Sequence, residues 1–266
     1  MDVHVRGGPA EPFLGARDLF STEYDLDRPV TVRVRTDPDE RTRVSHDEES
    51  HLLIISRQAA TSALARELAL HEYAHMHHYE RGHPSHTQST EEAIFLAIAG
   101  RSVERRKLVH CYQIANHMKD VYADDVWMQM VPGDKVVDFL EASLAAAVAD
   151  RPVDPPAWDG VGTRVAPRDG TPEPSSRRTP AADPDITAVN AAFALALCER
   201  HDLLESDHRL YDLAHAAASD APDLDFGAFK RQFAALSPDP DESEFRKALV
   251  DATKAYLTSG SSQAAD

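Results

Sequence analysis

The apolar run His51–Ser56 delivers the chain directly into a long helical pattern, and this junction constrains the fold more than any other feature of the sequence. Leu52, Leu53, Ile54 and Ile55 are bulky and partly β-branched, so the run reads as a strand. Ser56 stands where a helix cap is wanted, and the helix it opens extends over about 57–81 before Gly82 and Pro84 stop it. Along this helix Leu64, Leu68, His71 and His75 step by four, three and four residues. They share one face, the face expected to point into the protein. Two histidines on the continuation of a leucine stripe are costly to bury unless they meet a partner.

Imidazoles at positions i and i+4 can each place a nitrogen about 2.0–2.1 Å from a single Zn²⁺. Glu72 lies one residue round the helix, close enough to reach a metal-bound water without occupying the metal. It is the natural general base, taking a proton as zinc lowers the pKa of water towards about 7. The segment His71-Glu72-Tyr73-Ala74-His75 is the His-Glu-x-x-His pattern of zinc metallopeptidases. The nearby His77, His78, His83 and His86 read as helix-end and loop residues. The metzincin extension of the motif needs Gly at position 78 and His at position 81, where this chain has His78 and Arg81. That subclass is disfavoured, although His83 could fold back as a ligand.

A hydrolytic zinc takes a third protein ligand and keeps one open position. Glu92, at the start of the next helical pattern, is the leading candidate. Over about 30–121 the chain resembles the zincin superfamily, in its gluzincin branch. There a strand–helix–helix core carries the histidine motif on one helix and a glutamate, often followed by a small residue, on the next. Glu92-Ala93 matches that arrangement, and the resemblance implies that Glu92 joins His71 and His75. The aspartate that supports a zinc histidine in some gluzincins would fall at Leu96, so that feature is expected to be absent. Glu92 also fits a capping box over 89–92, reaching back to the backbone of Ser89. Glu104 is the rival ligand, because it interrupts an inward-looking stripe of Ala93, Ala97, Gly100, Leu108, Cys111 and Ala115 and wants a partner there. Asp120 is a more remote third choice. A short loop between antiparallel helices brings their adjoining ends together and favours Glu92. His110, Tyr112 and His117 are available to stabilise a developing oxyanion, and none of them is assigned that role.

The chain of 266 residues is 42% apolar, enough to bury a core. Its formal charge of −17 argues against nucleic acid or an anionic membrane as partner. Among the basic residues 6 are Lys and 22 are Arg. Scarce lysine with abundant acid resembles proteins adapted to high salt, so the source is expected to be halophilic. Cys111 and Cys198 sit in apolar helical contexts and read as buried free thiols in a reducing compartment. The first ten residues lack a signal-peptide core, and no apolar stretch is long enough to span a bilayer, so a cytoplasmic protein is expected.

The fold class expected is α+β: a zincin-like catalytic domain over 1–150, mostly helical with a small N-terminal sheet, then a linker and a helical C-terminal segment. Before the motif, 12–24 reads as a helix and Val30–Arg35 as a half-buried strand. After it, helical patterns cover about 90–122 and 134–149. Residues 151–184 are rich in Pro, Gly, Asp, Ser and Arg and read as a disordered linker. Four amphipathic helices follow within 185–258, over 185–201, 207–218, 226–236 and 243–257. The function expected is a zinc-dependent metallohydrolase, a peptidase acting on a peptide or protein with Glu72 as base. The alternative is a zincin-like scaffold that binds metal or a partner without efficient proteolysis.

Overall fold

A computed structural model describes residues 1–38, 40, 42–149 and 183–259. It is an α+β protein, mostly helical, with one small sheet. Strands Val3–Arg6 (β1), Val30–Arg35 (β2), Arg43–His46 (β3) and His51–Ser56 (β4) form a sheet in the order β1-β2-β4-β3. β1, β2 and β4 run parallel, and β3 pairs antiparallel on the outer edge of β4. Val30, Val32 and Val34 alternate with polar residues, so β2 buries one row of side chains. Helix Glu11–Phe20 (α1) connects β1 to β2 and contributes Phe13, Ala16 and Phe20 to the same core.

The helix expected over 57–81 is divided. Ser56 does cap it, its hydroxyl accepting the Ala59 N–H at 3.1 Å. A first turn, Arg57–Ala60 (α2), then ends where the Thr61 and Ser62 hydroxyls donate back to the carbonyls of Arg57 and Ala59 at 2.9 and 2.8 Å. Hydroxyl groups that bond to nearby carbonyls compete with helix propagation, and here they win. The main helix resumes as Ala65–Glu80 (α3) and stops before Gly82, whose φ of +65° suits a residue without Cβ. A short turn of helix follows at Pro84–Thr87 (α4).

The long helix expected over 90–122 is also two helices. Thr90–Ile98 (α5) ends in two consecutive left-handed residues, Ala99 with φ of 44° and Gly100 with φ of 80°. Arg105–Trp127 (α6) then sets off in a new direction and packs along α3. This reversal decides which carboxylates can approach the histidines.

The remaining helices are Gly133–Ala149 (α7), Pro184–Arg200 (α8), Arg209–Asp220 (α9), Phe226–Ala234 (α10) and Glu242–Thr258 (α11). They fall close to the helices read from the sequence. The expected linker lies outside the described residues except for its last two, Asp183 and Pro184, which open α8: the Asp183 carboxylate caps the Asp185 N–H at 3.1 Å. The C-terminal helices share a core with α5 and α6. Ile114, Met118 and Val121 meet Val189, Phe193 and Leu197 of α8, Phe233 of α10 and Leu249 of α11. Polar ties reinforce this packing: Asp125 on α6 accepts a two-pronged pair of hydrogen bonds from Arg200, at 2.9 and 2.8 Å, and His201 at 2.7 Å. Cys111 and Cys198 are free and buried, and burial pushes their thiols up to about 11 and about 12. Among the described residues, no helix is long and apolar enough to cross a membrane.

Candidate metal centre

α3 presents two faces with different duties. Ala69, Leu70, Tyr73, Ala74 and Met76 are fully buried against the sheet and α1. The stripe of Leu64, Leu68, His71 and His75 does share a face, but that face is only half-buried and, for its first three members, borders a cavity instead of the core. The sequence expectation of an inward, core-facing stripe is corrected in that respect.

Three donor atoms converge beside α3. His71 Nε2 and His75 Nε2 are 3.0 Å apart, and Asp120 Oδ1 lies 3.3 Å from His75 Nε2 and 3.8 Å from His71 Nε2. The edge of a tetrahedron whose centre sits 2.0–2.1 Å from each corner is about 3.3 Å. The triangle brackets that value, and the set of two imidazoles and one carboxylate is a familiar one for zinc with an open fourth position. Among the described residues, the group of potential ligands around the motif is His71, His75 and Asp120. Glu92 and Glu104 are not part of it. Glu92 is exposed in the first turn of α5, where its backbone N–H donates to Ser89 Oγ at 3.1 Å. Glu104 is exposed at the N-cap of α6. Asp120, the remote choice on sequence grounds, is the carboxylate that the turn at Ala99-Gly100 carries back alongside α3.

The outer atoms of all three residues are held. His71 Nδ1 is 2.7 Å from Asp124 Oδ1, which also accepts the indole N–H of Trp127. The Nδ1–H of His71 must therefore donate, which turns Nε2 to the triangle. His75 Nδ1 is 2.7 Å from His86 Nε2, and His86 Nδ1 is 2.7 Å from Ser85 Oγ, itself 2.7 Å from His83 Nδ1. Burial lowers His86 well below its ordinary value, so it is neutral and can accept from His75. His75 Nε2 then also faces the triangle. On the third side His117 Nδ1 lies 3.2 Å from Asp120 Oδ2, and His117 Nε2 lies 2.8 Å from Asn190 Oδ1 of α8.

Two imidazole nitrogens and a carboxylate oxygen that close on one point repel each other unless a proton or a cation lies between them. The titration behaviour carries the same message. Burial alone would lower His71, yet the Asp124 carboxylate, aided by Asp120 and Glu72, raises it to about 10. Burial alone would raise Asp120, yet the imidazoles of His117, His75 and His71 hold its carboxyl well below the ordinary range. The site attracts positive charge, whether proton or metal.

Glu72 borders the same cavity as His71 and Asp120. Burial raises its carboxyl above the ordinary value, opposed by His75 and His71 and assisted by Asp120. A carboxylate moved towards neutrality is a better proton acceptor, as a general base requires. The cavity holds about 560 Å³ between α3, α6, α7 and α8, within the size range of small-molecule sites.

The sequence reading missed Asp124 and Asn190, took His86 for a loop residue and weighed His117 only for oxyanion contact. The first had a signal: His117, Asp120 and Asp124 recur at helical spacing on α6, so the two aspartates occupy adjacent turns. Asp124, four residues beyond Asp120, is the carboxylate that bonds to the His71 ring. Of the three residues considered for oxyanion contact, His117 borders the cavity, Tyr112 is exposed, and His110 packs on Tyr256 of α11. A model of a family of unknown function (DUF5781) matches residues 1–258, and the chain belongs to that family. No curated protein and no solved structure matches it.

Proposed function

We propose that this member of the family is a zinc-dependent hydrolase, with a zincin-like active site acting on peptide bonds. The observation that carries the reading is the convergence of His71 Nε2, His75 Nε2 and Asp120 Oδ1 on one point, each held from behind by a hydrogen-bonding partner. These three residues would hold the metal. When bound, zinc supplies Lewis acidity, polarising a carbonyl and lowering the pKa of water towards about 7.

The chain's own residues supply the rest. Asp124 fixes the orientation of His71 and His86 that of His75, so that both rings meet the metal without reorganising. Glu72, beside the ligands and raised by burial, accepts a proton from the attacking water and can return it to the leaving amine. A site that only stores metal has no use for a carboxylate that borders the substrate cavity without joining the ligands. That placement supports hydrolysis over a metal-binding scaffold. The deeply buried, unreactive thiols Cys111 and Cys198 suit a reducing compartment, and we assign the cytoplasm.

The test is elemental analysis beside a peptide-library assay. Purified protein should carry near-stoichiometric zinc, and a His71→Ala/His75→Ala double variant should carry none. Glu72→Gln should keep the zinc and lose cleavage by at least a hundredfold. Zinc that survives the double variant, or cleavage that survives Glu72→Gln, overturns the assignment.

A further inference from the structure

The cavity that begins at the metal centre continues well beyond it, and its far end has a different chemistry. Leu64 and Leu68 of α3, Phe139 and Leu140 of α7, and Phe193 and Leu197 of α8 form an apolar wall. Glu72 aside, the carboxylates bordering the cavity are engaged. Asp120 and Asp124 face histidines, and Glu67 is 2.9 Å from Arg66 and 3.5 Å from Lys135. Phe139 keeps 43% of its surface exposed and borders this space.

Volume sharpens the point. A cavity of about 150 Å³ is enough to hold benzene. The 560 Å³ here exceed that severalfold, so the space accommodates a large side chain together with part of its neighbour. A polar substrate group would lose its water against Leu64, Leu140 and Phe193 without gaining a hydrogen bond from them. An apolar group gains by leaving water for the same surface.

From this geometry we infer that the α7–α8 wall is a substrate subsite for a bulky apolar group attached directly beside the scissile amide. The inference rests on the hydrolase reading for the identity of the bond, and on the cavity alone for the identity of the group. The subsite is continuous with His71, Glu72 and Asp120, so a group seated in it brings its neighbouring carbonyl to the metal centre. Ala194 of α8 and Ala147 of α7 also border the cavity and leave room that a larger residue at either position would fill.

Binding and cleavage test the two parts separately. Calorimetry on the full chain compares 4-phenylbutyramide with butyramide, with zinc present and with zinc chelated. The phenyl compound is expected to bind at least tenfold more tightly, and Ala194→Trp and Ala147→Phe should each remove that advantage while leaving zinc content unchanged. The two variants come from different helices, so misfolding of one leaves the other to decide. No advantage for the phenyl compound, or one that survives both variants, overturns the subsite. Peptides with Phe or Leu beside the cleaved bond should be cut at least tenfold faster than those with Asp, and the variants should reverse the order in favour of Gly or Ala. If N-decanoylglycine is cut in preference to the Phe peptide, the apolar group is an acyl chain and the subsite stands. If nothing is cut but the phenyl compound binds as expected, the hydrolase reading fails and the subsite again stands.

Discussion

Asp124 holds His71 from behind, its Oδ1 lying 2.7 Å from the ring's Nδ1, while Asp120, one helical turn earlier, faces the Nε2 of the same ring. Two carboxylates on one face of α6 thus take opposite sides of one imidazole. One fixes the tautomer and the other completes the donor set. Removing the charge of the outer one should weaken the metal site without dismantling it. Asp124→Asn is expected to lower zinc affinity by about 10–100-fold, read by competition with a chelator. Unchanged affinity would mean that Asp124 serves only Trp127.

The third ligand can be decided by comparing three alanine variants. Asp120→Ala should lose zinc at concentrations where the parent protein is saturated. Glu92→Ala and Glu104→Ala should bind zinc as the parent does, because both side chains are exposed and lie outside the donor group. Glu92→Ala should have only a small effect on stability. Loss of zinc on replacing Glu92 would restore it as the ligand.

Glu80, at the end of α3, links stability to pH. Burial would raise its carboxyl, but the backbone N–H groups of Asp27 and Arg28, at 2.8 and 2.9 Å, and His51 Nε2, at 2.9 Å, hold it below its ordinary value of 4.5. The unfolded chain then binds the proton more readily than the folded one. The stabilisation is present above about pH 4.5 and is lost as pH falls through the lower, folded value. Denaturant titrations between pH 6 and pH 3 should therefore show an acid loss of stability that is smaller in Glu80→Gln. At pH 7, Glu80→Ala should cost about 2 kcal/mol, as for hydrogen bonds to a charged group. Identical acid profiles for parent and Glu80→Gln would refute this.

Asp125 joins α6 to the end of α8 through Arg200 and His201, and both Asp125 and Arg200 are largely shielded from water. Asp125→Ala leaves the guanidinium without its partner and should cost about 2 kcal/mol or more in denaturant unfolding. The wall built by α8 should loosen before the metal triangle does. The variant is expected to keep its zinc but bind apolar amides more weakly.

Much of the fold was legible where pattern alone decides. The alternation in Val30–Arg35 and the apolar run His51–Ser56 define β2 and β4 to the residue, and the C-terminal helices are found within a few positions. β1 and β3 went unseen because each has only four residues, with polar side chains among them. The interruptions at 61–64 and 99–104 were read through as helix, since Ala99 carries no turn signal and Gly100 lies within a run of otherwise favourable residues. The second of these misreadings displaced the carboxylate that meets the two histidines. A continuous helix over 90–122 would carry Asp120 about 40 Å away from Glu92, at 1.5 Å per residue, and only the start of such a helix could meet α3. The histidine motif itself was legible because its spacing is local, whereas its carboxylate partner depends on a chain reversal.

The bond between His117 and Asn190 spans 73 residues of sequence and connects the metal triangle to a helix made late in the chain. His71, His75, Asp120 and their supports His86 and Asp124 are all available once α6 has left the ribosome. The apolar wall is not, since α8 begins only at Pro184. During synthesis the three donor atoms can come together before the cavity beside them is closed by α8. Contacts of such long range are the slow ones to form. The complete cavity should therefore be the last part of this arrangement to form.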